Sequence, residues 1–165
     1  MGKIRIFTDG SSLNNNTKDN RSGGIGVFFG VDDPRNISKK LKTSKITNQV
    51  AELLACYEGI TTLISTQNLG TKKLYVYTDS KYLIDSITKY AIEWEKNNWK
   101  KKKNKEISNL DLIKKIYYLY QNVNIKFKHI NSHQKEPKDK NSKEYKLWFG
   151  NMMADKLATD AAKKR

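Results

Sequence analysis

Two short segments of the chain echo each other, I-R-I-F-T-D-G-S at 4–11 and L-Y-V-Y-T-D-S at 74–80. Each is an apolar run that ends in Thr-Asp followed by a small residue, so Asp9 and Asp79 occupy matched positions. In open α/β sheets, sites form beyond the carboxyl ends of the strands. If the two runs are parallel neighbours, the two carboxylates emerge side by side. Ionised carboxylates at that range repel unless a proton or a cation sits between them, which makes the pair a candidate cation site. Taken singly, Asp-Gly and Asp-Ser also read as ordinary strand-ending turns. Glu52 and Asp155 each fall near the start of a helical pattern, where an acid also suits the helix dipole. His133 follows the last strand in a loop. Spacing alone does not bring these five residues together.

The elements that must position them can be read from periodicity. Residues 3–9, 24–30 and 36–43 read as three strands in an antiparallel meander, the third lysine-studded and so an edge. Residues 48–67 place Val50, Leu53, Leu54 and Tyr57 on one helical face, with Thr47 or Asn48 as cap. Residues 73–78 read as a strand, 81–92 and 108–121 as helices, 123–129 as a last strand and 150–164 as a closing amphipathic helix. The order βββαβααβα predicts an α/β fold, a mixed sheet covered by helices. Two charged stretches interrupt it: 99–105, with five lysines in seven positions, and 134–146, which lacks periodicity, contains Pro137 and reads as a mobile loop.

A length of 165 residues favours one domain, 1–165. The net charge of +15 points to a polyanionic partner, nucleic acid first and an anionic membrane surface second, with solubility alone as the bland account. Only four of the 32 basic residues are arginines (Arg5, Arg21, Arg35 and Arg165), which favours phosphate contact over base reading. Cys56 is the only cysteine, so an intrachain disulfide and a cysteine-based zinc site are excluded. No signal peptide or membrane-spanning run is evident, which predicts a soluble protein of the cytoplasm or nucleus.

Taken together, T-D-G-S at 8–11, T-N-Q-x-A-E at 47–52, T-D-S at 78–80, S-H at 132–133 and G-N-x-x-A-D at 150–155 resemble ribonuclease H type 1, in order and in most spacings, from about Lys3 to Ala162. The resemblance implies a ribonuclease H-like fold: a five-stranded mixed sheet flanked by helices, with a basic protrusion, here about 90–109. It implies hydrolysis of the RNA strand of RNA–DNA hybrids by two Mg2+ ions, or Mn2+ in their place, giving 5′-phosphate and 3′-hydroxyl ends. Asp9, Glu52, Asp79 and Asp155 match the metal-binding carboxylates, with Asp9 as the bridging residue. His133 matches a mobile histidine that assists proton transfer or product release.

The resemblance also assigns substrate contacts. Gly10, Ser11, Ser12, Asn15, Asn48 and Gln49 match positions along the RNA strand, where the 2′-hydroxyl separates RNA from DNA. Lys45, Thr47 and Asn109 fall where the family holds a phosphate of the DNA strand. Tyr90, Trp94, Trp99 and Lys100 match the protrusion, whose rings and lysines meet the DNA strand; packing is the alternative for the tryptophans, and Trp148 is expected to pack the final helix. The sequence departs from the family pattern at the interval from His133 to Asp155, here 22 positions and much longer than usual because of the 134–147 insertion. It also departs at Val50 and at Lys81. A monomer without an obligate protein partner or a separate hybrid-binding domain is expected. The alternative is a non-catalytic hybrid- or RNA-binding module, which should have lost at least one carboxylate.

Overall fold

The computed structural model describes residues 2–13, 22–42 and 47–164. Asn15 and Lys45, both expected to touch substrate, lie outside the described residues. Five strands form one sheet in the order β3-β2-β1-β4-β5. They are β1 (Lys3–Leu13), β2 (Ser22–Phe28), β3 (Ile37–Lys42), β4 (Lys73–Thr78) and β5 (Ile125–His129). β1, β2 and β3 pair antiparallel, whereas β4 runs parallel to both β1 and β5. The sheet is therefore mixed, as expected, and the lysine-studded third strand is an edge. β1 runs four residues beyond the expected 3–9, because Ser11, Ser12 and Leu13 keep pairing with Gly24, Gly23 and Ser22.

The helices are α1 (Asn48–Thr66), α2 (Lys81–Asp85), α3 (Ala91–Lys96), α4 (Leu110–Asn122) and α5 (Lys143–Lys163), with a π-helical turn at Ser86–Tyr90 between α2 and α3. Alternation along the strands sorts the core into two layers. Ile6, Ile25, Val27, Leu74, Val76 and Ile125 pack with Leu53, Ile60, Leu63, Ile113 and Ile116 of α1 and α4. Phe7, Phe28 and Tyr77 pack on the other side with Ala154 of α5. On β2 the residues that face α5 include Gly24 and Gly26. A Cβ on either would strike the helix backbone at Ala158 or Ala154. Only glycine allows α5 to lie so close to the strand.

The last helix corrects the sequence reading. It begins at Lys143, so the segment expected to be loop to residue 146 is helical over its last four residues. The Ser142 hydroxyl oxygen caps the helix by accepting from the Tyr145 amide at 3.0 Å. Tyr145, Trp148 and Phe149 then share a face: the Tyr145 and Phe149 rings stack at 6.2 Å, and Phe149 meets Phe28 edge-on at 5.7 Å. Lys143 and Glu144 before them and Lys146 between them are exposed and mask this spacing. No helix among the described residues is long and apolar enough to cross a membrane.

Candidate active site

β1 and β4 lie side by side with Phe7 opposite Tyr77, so the two Thr-Asp segments follow the last paired residues as neighbours. Asp9 is buried and Asp79 half-buried. Glu52 reaches them from the first turns of α1, itself buried. A carboxylate oxygen from each of Asp9, Glu52 and Asp79 can be found within 4.8 Å of the others.

Gly10 is the joint that permits this approach. Its amide donates to Glu52 Oε1 at 2.7 Å and to Asp9 Oδ1 at 3.0 Å. A Cβ at this position would strike the α1 backbone at Ala51 and Glu52, so any larger residue would push the helix off the strand. Burial, the charge of Asp79 and a hydrogen bond with Asp155 push the Asp9 carboxyl well above the ordinary carboxylate range. Burial and the charges of Asp9 and Asp79 do the same to Glu52. Three carboxyls held this close in partial burial, with only one amide compensating two of them, fit an oxygen-ligated divalent cation.

Asp155, on α5, is exposed but within hydrogen-bonding reach of Asp9. It lines a pocket of about 210 Å3 with Asp79, Ser132, His133, Asn151, Met152 and Trp148. The long insertion thus does not carry His133 away: its loop returns to the carboxylates. The reason lies in Trp148, whose indole N–H donates to the Gln134 carbonyl at 3.0 Å. That bond ties the loop to the added turns of α5. Trp148 was expected only to pack the helix; its place in the pocket wall had no signal beyond an unassigned tryptophan in the insertion.

The substrate positions divide into three groups. Beside Gly10, Asn48 Oδ1 accepts from both the Ser12 amide, at 3.0 Å, and the Ser12 hydroxyl, at 2.8 Å. Ser11 is half-buried on β1, and Gln49 is exposed at the start of α1. Thr47 caps α1, its hydroxyl oxygen accepting from the Val50 amide at 3.1 Å, and the Asn109 side chain donates to the Tyr82 hydroxyl at 3.1 Å. In the protrusion, Tyr90 and Trp94 stack at 5.6 Å and, with Lys100 to Lys105, line a groove of about 990 Å3. Trp99 is not part of that lining: its ring meets Tyr117 edge-on at 5.8 Å, with Lys114 over its face at 5.2 Å, so it anchors the root of the protrusion on α4.

Fold and site together define a class: a mixed α/β domain that gathers acid side chains where the pairing of two parallel strands ends, for oxygen ligation of a cation. Comparison with known proteins makes the class specific. The RNase H family model matches residues 1–163, and the chain belongs to that family of nucleases. The ribonuclease H of Schizosaccharomyces pombe is 35% identical over 157 residues, covering 95% of this chain and 52% of that protein. The chain thus spans about half the length of that relative. The ribonuclease H of Rickettsia akari is 33% identical over 158 residues, covering 94% of this chain and 88% of that one. The solved PFV RNase H domain shares the fold with a TM-score of 0.71 at 24% identity, over 98% of this chain and 96% of that domain.

Proposed function

We propose that this domain is an endoribonuclease that hydrolyses the RNA strand of RNA–DNA hybrids, and that Asp9, Glu52, Asp79 and Asp155 hold two divalent cations, Mg2+ with Mn2+ as substitute. The observation that carries the reading is the convergence of Asp9, Glu52 and Asp79 within 4.8 Å where the β1–β4 pairing ends. Two ions held by these carboxylates would supply Lewis-acid activation of the attacking water and charge stabilisation at the leaving 3′ oxygen, chemistry that would leave 5′-phosphate and 3′-hydroxyl ends. All four acids come from one chain, which supports a monomer as the working unit.

The protein's own groups have separate tasks. The Gly10 amide orients Asp9 and Glu52 together. His133, in the pocket with Asp79 and Asp155, is placed to carry a proton or to help the product leave. Asn48 has its oxygen committed to Ser12, so its amide N–H groups and the Ser12 backbone present a fixed edge to a 2′-hydroxyl. Gly10, Ser11 and Gln49 extend that edge along the RNA strand. Thr47 and Asn109 serve a phosphate of the DNA strand, and Tyr90, Trp94 and Lys100 its sugars and phosphates further along.

The test incubates the protein with Mg2+ and an end-labelled hybrid, alongside double-stranded RNA, double-stranded DNA and single-stranded RNA. Cleavage confined to the RNA strand of the hybrid, and lost both in EDTA and with Asp79→Asn, is the expected result. Binding of the hybrid without cleavage in either Mg2+ or Mn2+ would leave the non-catalytic module in its place.

A further inference from the structure

The sheet face on which α5 lies is only partly covered. α5 packs on β1, β2 and β3, and alternation along the strands shows what β4 and β5 present beside it. Tyr77 and Phe7 belong to the α5 layer, so two residues earlier Tyr75 and Arg5 face the same way, and two earlier again Lys73 and Lys3. Phe127 of β5 packs towards the α1 and α4 layer, which leaves Lys126 and Lys128 on this side. The register sets them in rows: Lys3 beside Lys73, then Arg5–Tyr75–Lys126, then Phe7–Tyr77–Lys128.

Lys3, Lys73, Lys126 and Lys128 are exposed. The Tyr75 ring lies among them, with Lys3 Nζ 5.8 Å and Lys128 Nζ 5.9 Å from its centroid. Among the described residues, no ion pair answers these charges. β1 before Asp9, β4 and β5 contain no Asp or Glu. The ion pairs among the described residues are Arg35–Asp33, Lys39–Glu58 and Lys89–Asp85, all elsewhere. Arg5 Nε is buried without an acceptor. Lys3 and Lys73 face each other directly across the ladder, a screened like-charge contact that an anion lying on this face would relieve.

The location narrows what that anion is. The next residues along the same face of β1 and β4 are Asp9 and Asp79, so the cationic rows run on into the candidate active site. With a rise of about 3.3 Å per residue, Lys73 lies roughly 20 Å along β4 from Asp79. Lysines that follow a backbone, with an aromatic ring among them, are the elements of single-strand platforms, where the ring stacks a base without reading it. Tyr75 is half-buried rather than protruding, which suits stacking and not insertion into a bilayer.

We propose that the β4–β5 face binds single-stranded nucleic acid, namely an unpaired extension of the hybrid, with Lys73, Lys126 and Lys128 on its phosphates and Tyr75 under one base. The proposal rests on the nuclease reading for where the paired region lies. Binding is therefore measured in EDTA, where turnover plays no part, so its result stands apart from the cleavage assay.

Fluorescence anisotropy would compare a blunt hybrid with the same hybrid carrying a single-stranded tail. Wild type is expected to bind the tailed form more tightly, by about tenfold or more at low salt. The K73E/K126E/K128E variant loses that advantage, and its log-affinity for the tailed form falls less steeply with log salt, by about 0.7 for each phosphate contact removed. Its affinity for the blunt form is unchanged, and its melting temperature is not lowered. Tyr75→Leu keeps the packing and loses part of the advantage. If reversal disturbs the strand, Lys126→Gln with Lys128→Gln repeats the comparison. Equal wild-type affinity for blunt and tailed forms overturns the proposal. So does an equal loss on both forms in the variants, which would mean diffuse attraction. Lysine-dependent binding to phosphatidylserine vesicles without a tail advantage would also overturn it and assign the face to a membrane.

Discussion

β1 and β4 run side by side, and their paired stretch begins with a lysine on each strand and is followed by an aspartate on each, Asp9 and Asp79, on the same face of the sheet. At both ends like charges stand together, yet the physical situations are opposite. Lys3 and Lys73 are exposed, so water screens them and their repulsion costs little. Asp9 is buried with Glu52 against it, and both carboxyls are driven towards their protonated forms. The exposed end can stay charged without help. The buried end can be fully charged only with a cation between its oxygens, and that makes it a candidate for catalysis. Burial, more than charge density, separates the two.

The largest expected effect comes from removing one acid of the buried end. Asp79→Asn should lower hybrid cleavage by about a thousandfold, while raising the melting temperature of the metal-free protein, because one repelling charge is gone. A lower metal-free melting temperature would mean that the acids are not in conflict, and the contrast between the two ends would fail. The pH dependence sharpens the point. Asp9 and Glu52 are raised, so the folded state holds their protons more tightly than the unfolded chain does. That contribution is complete below the ordinary carboxylate range, about pH 4, and is lost as pH climbs through the raised values. Melts in EDTA should therefore show Glu52→Gln gaining on wild type as pH rises. Saturating Mg2+ should stabilise wild type more than the variant and shrink the gap, with protons released on binding.

Two smaller changes probe how the buried end is held. Gly10→Ala puts a methyl into the α1 backbone and should cost about 1–3 kcal/mol. At roughly 2–4 °C per kcal/mol for a domain of this size, a calorimetric scan resolves it, and cleavage should fall further than stability accounts for, since the Gly10 amide orients two ligands. Trp148→Phe removes the donor to Gln134 and frees the His133 loop. A loss of about 2–10-fold in kcat with KM unchanged is expected, the scale of one hydrogen bond. The same substitution in a His133→Ala background should have no further effect, and an undiminished loss there would detach Trp148 from His133.

Much of this arrangement was legible in the residues. The repeated Thr-Asp at the ends of two apolar runs anticipated the parallel β1–β4 pair, and the spacing of Val50, Leu53 and Leu54 anticipated α1. Bringing Glu52 and Asp155 to the same point was not legible from spacing and came from the ordered set of motifs. What stayed hidden has physical causes. Ser11 and Ser12 look like turn residues because they are polar, yet the ladder continues through them. The aromatic face of α5 at Tyr145, Trp148 and Phe149 is diluted by Lys143, Glu144 and Lys146. Trp99 resembles a substrate contact in sequence, but its neighbours Tyr117 and Lys114 come from a later helix.

The smallest effect tests the exposed end of the comparison. Lys73→Gln removes one of two facing lysines at the start of β1 and β4. A cross-strand like-charge contact on an exposed face costs about 0.2–1 kcal/mol, and screening places this one near the low end. The variant should melt higher by about a degree or less in low salt, and the gain should vanish at high salt, where the Debye length shrinks to about 3 Å. Its cleavage of a blunt hybrid should match wild type. The metal-free gain of Asp79→Asn should persist at high salt, because ions do not reach between buried oxygens as they do between lysines. If both gains faded together with salt, the two ends of the strands would differ only in sign, and burial would lose its place as the reason that the acids, rather than the lysines, form the reactive site.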